Sequence, residues 1–216
     1  MNKAKKHKSA NIESFFKLDK EKQNRIINSA MKEFGYGFKK SSTDIIAKEA
    51  DISKGSLYYY FGTKEQLFMH VIKESIKIKK EAYDKTLALN NLDFIETFRQ
   101  LNLLKKDILL KYPYLDRLAA GIWVHYEDTP KEAVELIQQQ SDITYNKILK
   151  ESNTSKFRPD INKEVACEII AWATDVLVTD KLIETTEETM DKNEISKNFD
   201  NILDEYVKTL KLAFYI

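Results

Sequence analysis

The sequence predicts an all-α protein, and three observations carry that expectation. Breakers are sparse, with 5 Gly and 3 Pro in 216 residues, where a sandwich or barrel would need many turns. Apolar residues recur at helical spacing along most of the chain. Helix-start signals stand at the heads of those periodic stretches. About nine helices are expected, as an N-terminal three-helix unit holding a helix-turn-helix and a larger C-terminal helical unit.

Residues 1–11, with Lys3, Lys5, Lys6 and Lys8, are expected as a basic disordered tail. Asp19 is an N-cap candidate for a helix to about Phe34, with Ile26, Ile27, Ala30, Met31 and Phe34 on one face. Gly35-Tyr36-Gly37 breaks it. Ser42 is placed to cap a second helix through Ala50, with Ile46, Ala47 and Ala50 inward. Asp51-Ile52 makes a short turn, and Ser53 caps a third helix over Lys54–Phe61. After Gly62, Thr63-Lys64-Glu65-Gln66 forms a capping box that opens a helix to about Leu89.

Beyond that, a helix is expected over Asp93–Leu110, then a shorter one after Pro113 ending near His125. Thr129-Pro130-Lys131-Glu132 combines an N-cap Thr, Pro at the first helical position and Glu at the third, and starts a helix to about Glu151. Residues 152–155 with Pro159 form a loop, and two last helices cover about Asn162–Glu184 and Glu194–Phe214. The expected domains are therefore the tail at 1–11, a helix-turn-helix domain at 12–64 and a helical domain at 65–216.

Composition narrows the function. The lone Cys167 excludes an internal disulfide framework and fits a reducing, cytoplasmic setting. No apolar stretch follows the basic N-terminus, so no secretory signal is read there. The run Ile169–Val178 is too short to span a bilayer and contains Asp175, so no membrane partner is expected. The three histidines, His7, His70 and His125, have no Cys or carboxylate at ligand spacing. Glu127-Asp128 reads as loop. No phosphate-cradling Gly loop or nucleophile elbow occurs, so no enzyme, metal or cofactor is expected.

The net charge of +1 conceals an asymmetry. Residues 1–64 hold 14 Lys and Arg against 7 Asp and Glu, a net +7, whereas the rest holds 21 against 27, a net −6. A basic head on an acidic body fits a polyanionic partner for the head, or a solvated basic face. The segment Ser42–Phe61 decides between these. Two short helices joined by a tight turn make helix-turn-helix geometry, which sets one helix in a major groove with its N-terminal residues on the base edges. Gly55 and Ser56 are small enough for close backbone approach. Lys54 and Lys64 supply charges for phosphates. Tyr58, Tyr59 and Tyr60 cannot all be buried on one helix, because neighbours lie about 100° apart.

The run Ile46-Ala47-Lys48-Glu49-Ala50, followed by Ile52–Phe61 and Lys64-Glu65-Gln66-Leu67, resembles the DNA-binding signature of the TetR (tetracycline-repressor-like, TetR/AcrR) family. The resemblance covers about residues 18–72. Asp51 stands where that family usually has Gly, a turn position Asp tolerates better than most residues. The connector after Phe34 is one residue shorter than usual, and Gly62 replaces a common Pro or Lys. The resemblance implies a transcriptional regulator, by family default a repressor released from a palindromic operator by a small-molecule effector. It implies DNA contacts from Ser42, Thr43, Ser53, Lys54, Gly55, Ser56, Tyr58, Tyr59, Tyr60 and Lys64, with Ser42 capping its helix and Leu57 and Phe61 in the core.

It further implies a homodimer built on the last two helices, where Val165, Ile169, Val176, Ile202, Leu203, Tyr206 and Leu210 are the candidate interface residues. The effector pocket would draw on Phe94, Phe98, Tyr112, Tyr114, Arg117, Trp123, His125, Tyr126, Tyr145 and Trp172, whose aromatic content leans towards an apolar or aromatic ligand. The long helix that starts at Thr63 is the expected lever between head and body. The rival readings are an enzyme, which steady turnover of a substrate would reveal, and a protein-binding helical adaptor whose helix-turn-helix no longer binds DNA.

Overall fold

The computed structural model describes residues 10–87, 92–185 and 192–216. Among these residues there are ten α-helices, a 3-10 turn and no strand. The helices are α1 (Ile12–Phe16), α2 (Lys20–Phe34), α3 (Thr43–Glu49), α4 (Lys54–Phe61), α5 (Lys64–Leu87), α6 (Phe94–Lys111), α7 (Leu115–Val124), α8 (Lys131–Glu151), α9 (Lys163–Thr185) and α10 (Lys192–Phe214). The 3-10 turn spans Tyr126–Asp128, where the sequence was expected to give plain loop. Residues 1–9 of the expected tail lie outside the described residues. Its last two residues run into α1, a helix that no periodicity announced.

Side-chain caps set most helix starts. Asp19 Oδ1 accepts from Lys22 N at 2.7 Å and Asp93 Oδ1 from Glu96 N at 3.0 Å. Asn162 Oδ1 accepts from Glu164 N and Val165 N, and Thr63 Oγ1 from Gln66 N. Each satisfies an amide that would otherwise lack a partner in the first turn. Two starts depart from expectation. Thr129 turns its hydroxyl back to the carbonyl of His125 at 3.0 Å, and α8 begins two residues later at Lys131. Ser42 makes no side-chain cap bond; its backbone N–H donates instead to Glu33 Oε1 at 2.7 Å.

The chain forms two compact units. One comprises the described residues up to Ile76 with Tyr114–Gln138; the other comprises Lys77–Pro113 and Gln139–Ile216. In the first, Ile26, Met31, Phe34, Ile46, Leu57, Phe61, Phe68 and Ile72 are buried together with Leu115, Leu118 and Ile122 of α7. α7 joins this unit because glycines let it come close to α2. A Cβ on Gly121 would stand 2.3 Å from the carbonyl oxygen of Gly35. Arg117 reaches over the Tyr36 ring, 5.0 Å from its centroid, and Lys39 pairs with Asp128.

In the second unit, α6, α9 and α10 pack on one another. Phe94 lies against Phe98 and Phe157, and Phe157 meets Tyr215 edge to face. Tyr215 Oη donates to Asp93 Oδ1 at 2.8 Å and accepts from Ile95 N at 2.9 Å. Burial pushes the Asp93 carboxyl up, but the hydrogen bonds from Lys156, the Glu96 amide and Tyr215 outweigh it, leaving the carboxyl below its ordinary value.

Candidate nucleic-acid interface

The interface is built on α3, the turn after it, and α4. Ile46, Ala47 and Ala50 anchor one side of α3, and Leu57 and Phe61 anchor α4, all buried. Between the helices, Asp51 takes φ 54°, the left-handed conformation expected at that position. Ser53 Oγ accepts from Ser56 N at 2.9 Å and lies 2.8 Å from Ser56 Oγ, fixing the first turn of α4. With both core residues inward, the other face of α4 is presented to solvent: Ser53, Lys54, Gly55, Tyr58 and Tyr59 are exposed and Ser56 is half-buried.

The polar groups here are held rather than free. Lys54 Nζ pairs with Asp44 Oδ2 at 2.7 Å, and that hydrogen bond holds Lys54 above the ordinary lysine range. Tyr58 Oη lies 3.1 Å from Thr43 Oγ1, so buried Thr43 positions a tyrosine instead of presenting an open hydroxyl. Tyr59 Oη meets Asn11 Nδ2 at 2.8 Å and Ser14 Oγ at 3.2 Å. Tyr60 was expected to face outward with Tyr59; it is half-buried, its ring 6.3 Å from that of Phe15. The α1 helix covers that side of α4 and shields part of the Tyr60 ring.

Lys64 also differs from expectation. Its Nζ donates to the carbonyls of Ser41 at 2.6 Å and Lys39 at 3.3 Å and sits 4.9 Å from the Phe38 ring centroid. Burial lowers its ammonium below the ordinary lysine range. This lysine ties down the turn before α3, leaving one donor for any phosphate.

Residues 26–71 match the family described as bacterial regulatory proteins, tetR family. That segment is similar to the DNA-binding part of tetR-family regulators. Among curated proteins, an HTH-type transcriptional regulator of Bacillus subtilis (strain 168), YhgD, is 33% identical over 63 residues, covering 29% of this chain and 33% of that protein. The chain thus spans a third or less of the two curated relatives it matches. A TetR-family regulator from Chloroflexus aurantiacus J-10-FL superposes with a TM-score of 0.66 at 18% identity, over 96% of this chain and 100% of that one. The ketosteroid transcriptional regulator KstR2 of Mycobacterium tuberculosis gives 0.63 at 15% identity, over 93% and 97%. At these identities the structures attest the fold alone, a helix-turn-helix head with a helical body.

The candidate pocket residues divide between the two units. Tyr114, Arg117, Trp123, His125 and Tyr126 belong to the first unit, and Phe94, Phe98, Tyr112, Tyr145 and Trp172 to the second. Phe94 and Phe98 are packed core, while Trp123, Tyr126 and Trp172 are exposed. Tyr114 lies under Lys32, and His125 fills the space where a Cβ on Gly37 would stand. Half-buried Tyr145 is raised above the ordinary tyrosine value by burial, with Glu168 and Cys167 adding to it.

The interface candidates divide as well. Val165, Ile169 and Tyr206 are exposed, Ile202 is half-buried, and Leu203 and Leu210 are buried in their own unit's core. The side chain of Val176 lies outside the described residues. Among the described residues no group of His, Cys, Asp and Glu is arranged to hold a metal, and no helix is long and apolar enough to cross a membrane.

Sequence reasoning missed Asn11, Ser14 and Asp44, which hold Tyr59 and Lys54. A signal for the first two existed: Asn11 followed by Ile12-Glu13 is a short cap pattern ahead of Phe15-Phe16.

Proposed function

We propose that this chain is a cytoplasmic, sequence-specific DNA-binding regulator and not an enzyme. In this reading a homodimer represses from a palindromic operator and leaves it when a small molecule binds the C-terminal unit. The observation that carries the reading is α4 itself. It is anchored by Leu57 and Phe61, capped by Ser53, and offers Ser53, Lys54, Gly55, Ser56, Tyr58 and Tyr59 on its other face. Small residues at the helix mouth favour close approach to base edges, and Lys54 with the tyrosine hydroxyls suits phosphates. Phosphate competes with Asp44 for Lys54, so Lys54 exchanges one anionic partner for another on binding.

Dimerisation is supported by α9, where Val165, Ile169 and Trp172 stand exposed at i, i+4 and i+7, one continuous face of the helix. Two copies related by a two-fold axis would present two recognition helices to two half-sites. An apolar or aromatic effector fits the aromatic content, and the structural neighbour KstR2 is by name a ketosteroid regulator. The effector acts by preferring the arrangement whose half-site spacing is wrong, with α5 as the lever.

The test is selection of genomic fragments by the purified protein, then anisotropy titration of the recovered duplex and a scrambled one at two salt concentrations. A palindrome bound about a thousandfold or more tighter than scrambled DNA is the expected result. Equal and weak binding to both would remove this reading in favour of an adaptor. Small apolar and aromatic compounds titrated into the complex should raise the apparent Kd for the palindrome if the release step is right.

A further inference from the structure

The short α1 helix bears directly on the recognition helix. Phe15 is buried against Phe61, their ring centroids 4.9 Å apart, which docks α1 on the C-terminal half of α4. The Asn11 backbone N–H donates to the carbonyl of Tyr59 at 2.9 Å. That carbonyl is among the last four of α4, which have no partner within the helix.

The orientation of the Asn11 side chain is settled by its cap. Its Oδ1 accepts from Ser14 N at 3.2 Å, so its Nδ2 is the atom that faces Tyr59 Oη, at 2.8 Å. Ser14 Oγ stands 3.2 Å from the same phenol oxygen, and the Tyr60 ring lies edge-on to the Tyr59 ring at 5.6 Å. A tyrosine 43% exposed would ordinarily turn freely about its side-chain bonds; this one is fixed from three sides.

We infer that Asn11 and Ser14 are positioning residues for Tyr59, fixing its phenol so that the hydroxyl hydrogen is offered to a phosphate oxygen of bound duplex DNA. With Asn11 donating into one lone pair of the oxygen, the phenolic hydrogen is left for Ser14 Oγ in the free protein. An anionic phosphate oxygen is the stronger acceptor and replaces Ser14 when DNA docks. The ordering of Tyr59 is then complete before DNA arrives and costs nothing at binding. This rests on the DNA-binding reading above and deepens it, because it makes α1 a working part of the head.

The experiment uses the full chain and the duplex recovered by the genomic selection, with single neutral methylphosphonates placed in turn along its backbone. Wild type should lose about tenfold or more in affinity at the position facing Tyr59, the value of one hydrogen bond to a charged group. Tyr59→Phe should be indifferent there. Asn11→Ser keeps a capping oxygen for α1 but cannot reach Tyr59. It should reduce the penalty at that one position to about threefold or less and have no further effect in the Tyr59→Phe background. An unchanged methylphosphonate profile for Asn11→Ser would overturn the inference. So would an Asn11→Ser effect of equal size with and without the Tyr59 hydroxyl, since that marks general loosening of the head. Failure of wild type to distinguish the recovered duplex from scrambled DNA would instead remove the DNA-reading function, and the inference with it.

Discussion

Lys64 shows how one side chain can be read correctly by type and differently by role. A lysine at the start of a helix beside a recognition element suggests a phosphate contact. Here its ammonium is spent on the carbonyls of Ser41 and Lys39 and lies against the Phe38 ring. Lys64→Met keeps the aliphatic stem and removes the donors, leaving two carbonyls with poorer partners. It should cost about 1–2 kcal/mol of stability, read as a lower urea midpoint at unchanged slope. The salt dependence of DNA binding should then change by less than about half a unit, where a full phosphate contact would contribute about 0.9. A loss of a whole unit with the urea midpoint intact would restore the phosphate role. Asp51 is the opposite case, since its left-handed backbone was legible from residue type and position alone.

At the scale of elements, α1 and α7 are the two least legible in sequence: α1 is marked only by the short cap pattern at Asn11, and the packing of α7 on α2 rests on a contact that no local pattern records. The spans from α2 to α6 and from α8 to α10 follow apolar periodicity closely, with side-chain caps formed at α2, α4, α5, α6 and α9 but not the expected ones at α3 and α8, so the fold was legible there. Five residues carry too little periodicity to announce α1. The membership of α7 in the head depends on Gly121 meeting Gly35, residues far apart in sequence. Gly121→Ala would place a Cβ against a backbone oxygen that cannot move aside. It should destabilise the head by about 1–3 kcal/mol, with faster amide exchange in α2 and α7 as the local signature.

α1 gives its own signal through His70 of α5. The imidazole packs among Phe15, Phe16 and Phe61, and its Nε2 is buried without a hydrogen-bond partner. Burial lowers its pKa below the ordinary histidine value, with Glu74 opposing and Lys73 assisting. The unfolded chain therefore binds this proton more readily than the folded one. The stability is fully present above the ordinary histidine pKa, near 6.5, and is lost as pH falls through it towards the depressed folded value. Urea midpoints should decline in this window for wild type. His70→Phe should remove that part of the decline, because it keeps an aromatic ring and has no proton to gain. An identical pH profile for the variant would assign the decline to other groups.

For the whole molecule, the α4 face was legible because it depends on the chain's own local pattern, whereas a surface for a second copy would not be. The sequence marks apolar positions on α9 and α10 but cannot say which serve the protomer and which a partner, since burial is a property of the packed unit. Leu203 is fully buried whereas Trp172 is 74% exposed on the same two-helix layer. That difference makes the dimer testable without unfolding the chain. Ile169→Glu with Trp172→Glu places charge on a face that is already wet in the isolated protomer, so the thermal midpoint of the protomer should shift little. Charge repeated across a two-fold axis repels, so sedimentation equilibrium should show monomers at concentrations where wild type is dimeric. Operator affinity should then fall steeply, because one recognition helix alone retains one half-site and the weak phosphate attraction common to all duplexes. Binding to scrambled DNA should remain within a few-fold of wild type, as the α4 face is untouched. A variant that stays dimeric and binds the palindrome as wild type does would place the partner surface elsewhere on the chain.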